Sequence, residues 1–428
     1  MPSYFAIFGK TPALSAAELF AVFEREKIEA KPARVSAAGM IFETSRSDLA
    51  RPDLGRSDLD FWSQLGGAVK AGEIIWKGKP NAQSELQAFL NRDLRERVPA
   101  GRIEFGISNY PLESGTHQGL TSPRGQTLIG AALKKILAAD GRSVRRVTSR
   151  EKNLSAVTIN KNKLLGPGVE YCLFSDRAMT FVGITSWVQD YEEFAFREFT
   201  RPRADAIAGL VPVKLARMLL NLAAVPRDST ILDPFCGSGT IAAEALALGQ
   251  KQVIASDLEE RAIKETRENI RWTLTDLQRL SKQTLKVPVR ILQSPAEEID
   301  RALAGERVDA IVTEPYLGPP LRGRERTDEL QRTLNELQKI YEKSFAAFAR
   351  LLAPGSPVVF IFPIYKKGAA ELSINDLTGI ENAGFRPDPL LPERFRHTPG
   401  FALTARGGII YSRPDQLVHR EILRFRRI

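Results

Sequence analysis

The stretch TILDPFCGSGT, residues 230–240, decides the fold of this 428-residue chain. Its apolar start ends at Asp233, and Gly237 and Gly239 follow before a helix-forming run opens at Thr240. This pattern predicts a buried strand, a tight turn and the first turn of a helix. Glycine lets the backbone approach a ligand closely, and free N–H groups at a helix start favour a carboxylate or phosphate. We therefore expect a ligand site at this turn.

The spacing of the two glycines excludes two common nucleotide signatures. It is not Gly-x-Gly-x-x-Gly, and no Lys-Ser/Thr follows as in a P-loop. Asp-Pro-Phe-Cys-Gly-Ser-Gly-Thr instead resembles the first motif of S-adenosylmethionine (SAM) dependent methyltransferases that act on amino groups of nucleic-acid bases. The resemblance implies that SAM is the cofactor and is bound by Asp233, Pro234, Phe235, Gly237, Gly239 and Thr240.

The order of predicted elements divides the chain into an α+β half and an α/β half. Residues 1–60 are predicted as strand, helix, strand, strand, and residues 61–189 mix helices and strands without regular alternation. Residues 190–212 are charged and aromatic and are predicted to connect the halves. From residue 213 to 428, helices and strands alternate as in a parallel sheet.

Composition limits the function classes. The formal net charge is +10, from 61 Lys and Arg against 51 Asp and Glu, which suits either a solvated basic surface or attraction to a polyanion. Two cysteines exclude a disulfide framework, and three scattered histidines give no support to a metal site. No 18-residue apolar run or signal peptide is present, so we expect no membrane contact and a cytoplasmic location.

Two further positions extend the predicted cofactor site. Asp257 ends the second strand of the α/β half, where a carboxylate can accept hydrogen bonds from ribose hydroxyls. The alternative is that Asp257 only caps the next helix. Ser294 follows the third strand, where related enzymes often carry an acidic residue facing the adenine amine, for which serine is a weaker substitute.

The fourth strand ends at the candidate catalytic residues Glu314, Pro315 and Tyr316. An exocyclic base amine is a poor nucleophile because its lone pair is delocalised into the ring. A carboxylate that accepts its N–H bonds aims that lone pair, an aromatic ring stacks on the flipped base, and proline stiffens the loop. Amino-methylating enzymes commonly carry Asp-Pro-Pro-Tyr or Asn-Pro-Pro-Tyr here. This chain carries Glu-Pro-Tyr instead. Either Tyr316 or Leu317 therefore takes the position of the stacking aromatic residue.

The chain resembles the THUMP-domain tRNA guanine-N2-methyltransferase family, which methylates guanosine-10 in archaea and, with a partner subunit, in eukaryotes. Besides the SAM motif, the resemblance includes residues 4–19, residues 149–165, and the run from Val188 through Arg201 to Lys214. It implies a multidomain fold: a ferredoxin-like part (1–60), a THUMP RNA-binding domain (61–189), a linker (190–212) and a Rossmann-like class I SAM methyltransferase domain (213–428). It also implies tRNA as substrate and a small activating subunit as a candidate partner.

In that family the THUMP domain grips the single-stranded 3′ end of tRNA. A basic cluster is suited to the phosphates and comprises Arg145, Arg146, Arg150, Lys152, Lys161 and Lys163. A solvated charged face is the alternative. The basic end from His419 is open to two interpretations, non-specific RNA affinity or a surface tail.

Three functions remain after these observations. The first is SAM-dependent methylation of a tRNA guanosine at N2, at position 10 by the resemblance. The second is a DNA adenine-N6 or cytosine-N4 methyltransferase, which shares both motifs but would usually carry a target-recognition region in place of residues 61–189. The third is a catalytically inactive RNA-binding subunit, for which the variant Glu-Pro-Tyr is the only support.

Overall fold

A computed structural model of the chain describes residues 1–47, 49, 61–80, 82–113, 122–203, 211–281, 287–368, 370–413 and 416–428. Its strands form two sheets. The strands are β1 (Ser3–Phe8), β2 (Ala30–Ser36), β3 (Gly39–Thr44), β4 (Ala68–Gly78), β5 (Ile103–Pro111), β6 (Val144–Val147), β7 (Val169–Ser175), β8 (Thr180–Val188), β9 (Thr230–Asp233), β10 (Gln252–Asp257), β11 (Val289–Gln293), β12 (Ala310–Thr313), β13 (Pro357–Lys367), β14 (Ala370–Ser373), β15 (Phe385–Asp388), β16 (Ile409–Tyr411) and β17 (Val418–Arg427).

Helices cover both sheets. They are α1 (Pro12–Arg25), α2 (Gln83–Arg97), α3 (Pro123–Ala139), α4 (Ala156–Lys161), α5 (Tyr191–Phe199), α6 (Val213–Leu222), α7 (Thr240–Ala247), α8 (Glu260–Ser281), α9 (Ile299–Ala302), α10 (Thr327–Leu351) and α11 (Thr378–Asn382).

The first sheet is built from the N-terminal half in the order β2-β3-β1-β4-β8-β7-β5-β6. Strand β4 pairs with β1 on one side and with β8 on the other, both antiparallel. Strand β5 is parallel to both β6 and β7. Strands from both sides of residue 60 therefore lie in a single continuous sheet.

The second sheet has the order β11-β10-β9-β12-β13-β17-β15. Its first five strands in this order, from β11 to β13, are parallel to one another. Numbered within this half, the parallel strands have the doubly wound order 3-2-1-4-5, which confirms the predicted Rossmann-like α/β domain. The carboxyl ends of β9, β10 and β12 meet at one edge. Ligands of doubly wound sheets bind at this edge, where the strand order reverses beside β9.

Strand β17 corrects the interpretation of the basic C-terminal end. It lies between β13 and β15, antiparallel to both, and most of its residues are buried. The charged residues of this run are thus neither a surface tail nor a free basic patch. Arg424, for example, is paired with Asp388 at 2.7 Å.

The predicted connection between the halves contains helix α5, which packs against the second half. Arg197 on α5 is buried and its Nε donates to Glu244 of α7 at 2.7 Å. Arg217 of α6 donates to the same carboxylate at 2.9 Å. A buried carboxylate with two guanidinium partners fixes α5, α6 and α7 relative to one another.

Helices α1 and α6 join the two halves in one hydrophobic core. Leu14 and Leu19 of α1 belong to the same buried cluster as Leu215 and Leu219 of α6. The carboxylate of Glu18, which is fully buried, accepts hydrogen bonds from the backbone of Gly66 and Gly67 and from the Asn221 amide, all at 2.7–2.8 Å. This polar contact lies within the apolar interface and fixes how the two helices meet.

Candidate active site

The two glycines of the turn after β9 have different surroundings. Both adopt positive φ, 51° at Gly237 and 82° at Gly239, which favours glycine at each position. A Cβ on Gly239 would lie 2.9 Å from the Thr266 side chain of α8, so this glycine permits close helix packing. A Cβ on Gly237 would have no atom within 4 Å. Gly237 therefore borders the open space in which a ligand could approach the backbone.

Asp233 is buried at the end of β9, directly before this turn. Its Oδ1 accepts a hydrogen bond from the Thr313 hydroxyl at 2.6 Å and from the Phe235 N–H at 3.3 Å. The pKa of Asp233 is raised to about 7, mainly by burial and to a smaller extent by the neighbouring carboxylates Asp257 and Glu314, while the two hydrogen bonds oppose the shift. The structure thus brings three acidic side chains of the predicted site together.

Asp257 ends β10 and organises the turn. One carboxylate oxygen accepts from the Gly237 N–H at 2.9 Å and the other from the Glu259 N–H at 3.0 Å. Both proposed roles are therefore compatible: the side chain is hydrogen-bonded near the start of α8, and each oxygen keeps a lone pair for a ligand. The Ser294 N–H donates to the Asp257 carbonyl at 3.0 Å, which places Ser294 beside the same strand end.

The remaining predicted cofactor residues mainly shape the turn. Pro234 is buried, and the half-buried Phe235 packs against the second core cluster. The Thr240 hydroxyl accepts from the buried Arg201 guanidinium at 2.5 Å. Its hydroxyl is thus engaged by the segment that precedes α6.

Glu314 lies in the loop after β12, and its carboxylate is bound by Arg420 of β17. The Arg420 Nε donates to Oε1 at 2.5 Å and Nη2 donates to Oε2 at 3.2 Å, a bidentate pair. Both side chains are more than nine-tenths buried. Burial raises the pKa of Glu314, and the Arg420 charge opposes this and favours the ionised carboxylate. A carboxylate in a bidentate pair still has two lone-pair positions for another donor.

Two buried tyrosines hold the rest of the catalytic loop. The Tyr341 hydroxyl donates to the Tyr316 carbonyl, and the Tyr365 hydroxyl donates to the Leu317 carbonyl, both at 2.6 Å. Gly318 has φ +95°, and a Cβ there would lie 2.0 Å from the Tyr365 oxygen. Only glycine fits this contact.

The arrangement decides which side chain can stack on a base. The Tyr316 side chain is 53% exposed, whereas Leu317 packs against the main hydrophobic core. Pro315, between Glu314 and Tyr316, is buried. The loop therefore presents one aromatic ring beside one buried carboxylate.

The predicted RNA-binding residues lie on the first half and differ in their surroundings. Arg146 is half-buried and donates to the carbonyls of Thr127 and Gln126 in α3, at 3.3 and 3.4 Å, so it stabilises the fold locally. Arg145 is 3.5 Å from Glu104. The other four side chains are exposed around α4: Arg150, Lys152, Lys161 and Lys163.

Sequence reasoning missed Arg420, Tyr341 and Tyr365. The signal for Arg420 was present in the apolar residues of its run, because Ile422 and Phe425 are typical of a buried strand and not of a tail. No group of three or more His, Cys, Asp or Glu suited to a metal ion occurs among the residues that the structure describes. Within those same residues, no helix is both long enough and apolar enough to cross a bilayer.

Part of the chain is similar to known methyltransferases. Residues 201–368 match the family model described as RMKL-like, methyltransferase domain. The tRNA (guanine(10)-N2)-dimethyltransferase of Methanothermobacter thermautotrophicus is 36% identical over 111 residues, which are 26% of this chain and 28% of that protein. The enzyme of the same name from Methanocaldococcus jannaschii is 34% identical over 132 residues, 31% of this chain and 35% of that protein.

The crystal structure of TrmN from Thermus thermophilus covers 100% of both chains with a TM-score of 0.50 and 19% identity, which indicates a common fold. The matches to the two curated relatives span only 28% and 35% of their lengths. Residues 201–368 are therefore an RMKL-like methyltransferase domain, and over this part the resemblance found in the sequence is confirmed.

Proposed function

We propose that this chain is a SAM-dependent tRNA methyltransferase that modifies the exocyclic N2 amine of a guanosine, with position 10 as the target. The observation that carries the proposal is the pairing of a buried carboxylate, Glu314, with the exposed ring of Tyr316 at the sheet edge that carries the glycine turn. An amine acceptor and a stacking ring are the two groups that base-amine methylation requires.

SAM fits the residues at the turn. The open space beside Gly237 lets the backbone approach the cofactor, and Asp257 has lone pairs left for ribose hydroxyls. When bound, SAM would supply an electrophilic methyl group, whose bond to sulfur breaks on transfer so that the sulfonium leaves as a neutral thioether. The carboxylate of Asp257, which accepts from the Gly237 N–H, is suited to a positively charged ligand.

Glu314 supplies the chemistry at the target amine. Its carboxylate accepts the amine N–H bonds and so turns the nitrogen lone pair away from the ring. The amine loses one proton as its new N–C bond forms, and Glu314 or water accepts that proton. Arg420 favours the ionised carboxylate and holds it in place, which supports both tasks.

For the RNA we propose that residues 61–189 serve as the THUMP-like binding region. Arg150, Lys152, Lys161 and Lys163 would contact phosphates, while Arg145 and Arg146 mainly support the local fold. The net charge of +10 supports a polyanionic substrate. Similarity to two tRNA (guanine(10)-N2)-dimethyltransferases supports tRNA and the guanine N2 position.

The test is methyl incorporation from labelled SAM into unmodified bulk tRNA, with duplex DNA in parallel, followed by nucleoside mass spectrometry. N2-methylguanosine or N2,N2-dimethylguanosine from tRNA alone is the expected product. The Glu314→Gln variant is the control: we expect it to lose methyl transfer and to keep SAM and tRNA binding.

Other outcomes would contradict the proposal. Methylated adenine or cytosine from DNA would establish a DNA amino-methyltransferase. SAM and tRNA binding without any product, even after addition of a cell extract to supply an activating subunit, would establish an inactive RNA-binding subunit.

A further inference from the structure

A second basic surface lies on the catalytic half, in the loop between the catalytic residues and α10. Residues 321–326 read Leu-Arg-Gly-Arg-Glu-Arg. The side chains of Arg322 and Arg324 are exposed, and in the part of the chain that the structure describes neither is in an ion pair. These two arginines are called the loop arginines below.

The loop that carries them is held by hydrogen bonds. The Glu325 carboxylate accepts from the Arg322 backbone N–H, and the Lys367 ammonium donates to the Glu325 carbonyl at 2.6 Å. Gly323 has φ +80°, and Leu321 packs against the second hydrophobic core. Because the acidic side chain of the loop is used internally, the loop presents a net positive surface.

Contacts along strand β13 give an estimate of the distance between the loop and the Glu314 carboxylate. Pro363 is the register partner of Arg420, which holds Glu314, and Tyr365 holds the Leu317 carbonyl. Two residues further along, Lys367 holds Glu325. Four residues of strand span about 13 Å, so the loop arginines lie within a few nucleotides of a base bound at Glu314.

The charges around the loop also favour a polyanion. Lys367 at the end of β13 adds one positive charge. The acidic neighbours are engaged: Asp328 is paired with Arg326 and Arg332, at 3.0 and 2.8 Å, and Glu371 with Lys366 at 3.6 Å. Glu329 accepts from the Arg326 backbone N–H at the start of α10.

We propose that Arg322 and Arg324 bind the phosphates of the RNA strand next to the target nucleotide. This inference rests on the proposed function and adds a second contact region, on the catalytic half itself. Contacts on both halves of the chain would position the strand, while the base enters beside Tyr316. Phosphate contacts of this kind fix register and carry no sequence information.

The experiment measures binding of an unmodified tRNA transcript as a function of salt for the wild type and Arg322→Gln/Arg324→Gln. Each phosphate contact to single-stranded RNA contributes about 0.7 to the slope of log Kobs against log salt. We expect the magnitude of the slope to fall by about 1.4 in the double variant. The tRNA affinity at 0.1 M salt should then fall roughly 25-fold, because 0.1 raised to the power 1.4 is about 0.04.

Two further variants complete the test. Arg322→Lys/Arg324→Lys keeps the charge and should keep most of the slope. Lys251→Gln/Lys343→Gln removes two exposed charges elsewhere, before β10 and within α10, and should leave the slope near the wild-type value. SAM affinity should be equal in all variants, which shows that the site is intact.

An unchanged slope and affinity in Arg322→Gln/Arg324→Gln, with normal tRNA binding by the wild type, would overturn this inference alone. The inference would also fail if the substitution reduced binding of an acidic polypeptide such as polyglutamate but not of tRNA. A wild type that neither binds nor methylates tRNA would instead overturn the proposed function.

Discussion

Arg420 binds both carboxylate oxygens of Glu314 although the two residues are 106 positions apart in the chain. The motif common in amino-methylating enzymes carries Asp or Asn at this position, and the Glu side chain is longer by one methylene. The longer side chain of Glu314 lets its carboxylate reach β17, and the pair is shielded from water. The variant Glu-Pro-Tyr motif is therefore accompanied by Arg420, which holds the Glu314 carboxylate and favours its ionised form.

Arg420→Met should destabilise the protein and move the pH dependence of methyl transfer. Removing one member of a buried ion pair costs about 3–5 kcal/mol because it leaves the other charge unpaired. Burial already raises the pKa of Glu314 and Arg420 opposes the rise, so without Arg420 the carboxylate protonates at higher pH. We expect the acidic limb of the kcat/KM profile to shift to higher pH. An unshifted limb would show that Glu314 does not act as the ionised acceptor.

The double variant Glu314→Gln/Arg420→Met separates stability from catalysis. It leaves no unpaired buried charge, so we expect thermal unfolding to recover toward the wild-type midpoint. Methyl transfer should stay absent because the acceptor carboxylate is missing. Recovery of activity together with stability would contradict the assigned role of Glu314.

The two turn glycines should respond differently to alanine. Gly237→Ala pays the cost of positive φ, roughly 1–2 kcal/mol, but meets no neighbouring atom. Its new methyl group enters the proposed cofactor space, so we expect SAM affinity to fall at least tenfold, about 1.4 kcal/mol. Isothermal titration with SAM measures this.

Gly239→Ala is the matched control for that substitution. Its Cβ would contact Thr266 of α8, which adds an overpacking cost of about 1–3 kcal/mol to the backbone cost. We expect a lower unfolding midpoint than for Gly237→Ala. Equal SAM affinities in the two variants would contradict the assignment of Gly237 to the ligand side.

Gly318→Ala should disorganise the catalytic loop. The added methyl group would lie 2.0 Å from the Tyr365 oxygen and would break the hydrogen bond from Tyr365 to Leu317. A displacement of about 1 Å in a catalytic group can cost roughly 100-fold in rate. We expect a drop of that order in kcat/KM with SAM affinity unchanged. Adding Tyr365→Phe should make the loss less than additive, because it removes the clashing oxygen.

Asp233→Asn should change how stability depends on pH. The pKa of Asp233 is raised from an ordinary value of 3.8 to about 7 by burial, so between these values the folded protein holds a proton that the unfolded chain has lost. This contribution to stability is fully present below about pH 4 and is lost as pH rises through about 7. The asparagine variant lacks it.

The measurement is the thermal unfolding midpoint of both proteins from pH 5 to 8. We expect the midpoint of Asp233→Asn to rise relative to wild type as pH increases, since each pKa unit corresponds to about 1.36 kcal/mol. Parallel pH dependence in the two proteins would show that Asp233 has an ordinary pKa.

Local patterns predicted the strand, turn and helix at residues 230–240 and the position of Asp257 at the end of β10. These features depend on neighbours in the sequence: an apolar run, glycines with positive φ and the length of one βα unit. The parallel arrangement of these strands also follows from regular alternation of helices and strands. Such features can be derived from one sequence.

The contacts that complete the site depend on distant residues. The choice between Tyr316 and Leu317 is made by Tyr341 and Tyr365, which hold the loop carbonyls from α10 and β13. Arg420 belongs to a basic run in which Ile422 and Phe425 indicate a buried strand, but these residues do not indicate which strands flank it. The placement of β17 between β13 and β15 is what brings Arg420 to Glu314.

The contact of α1 with α6 has a practical consequence for dissection of the molecule. A fragment that begins at α6 would expose the buried leucines of that helix to water and would strand the Asn221 amide without its Glu18 partner. Such a piece should aggregate, whereas the intact chain buries the same surface. We therefore expect the two halves to fold as one unit. Point substitutions, and not isolated halves, are then needed to assign activity to either half.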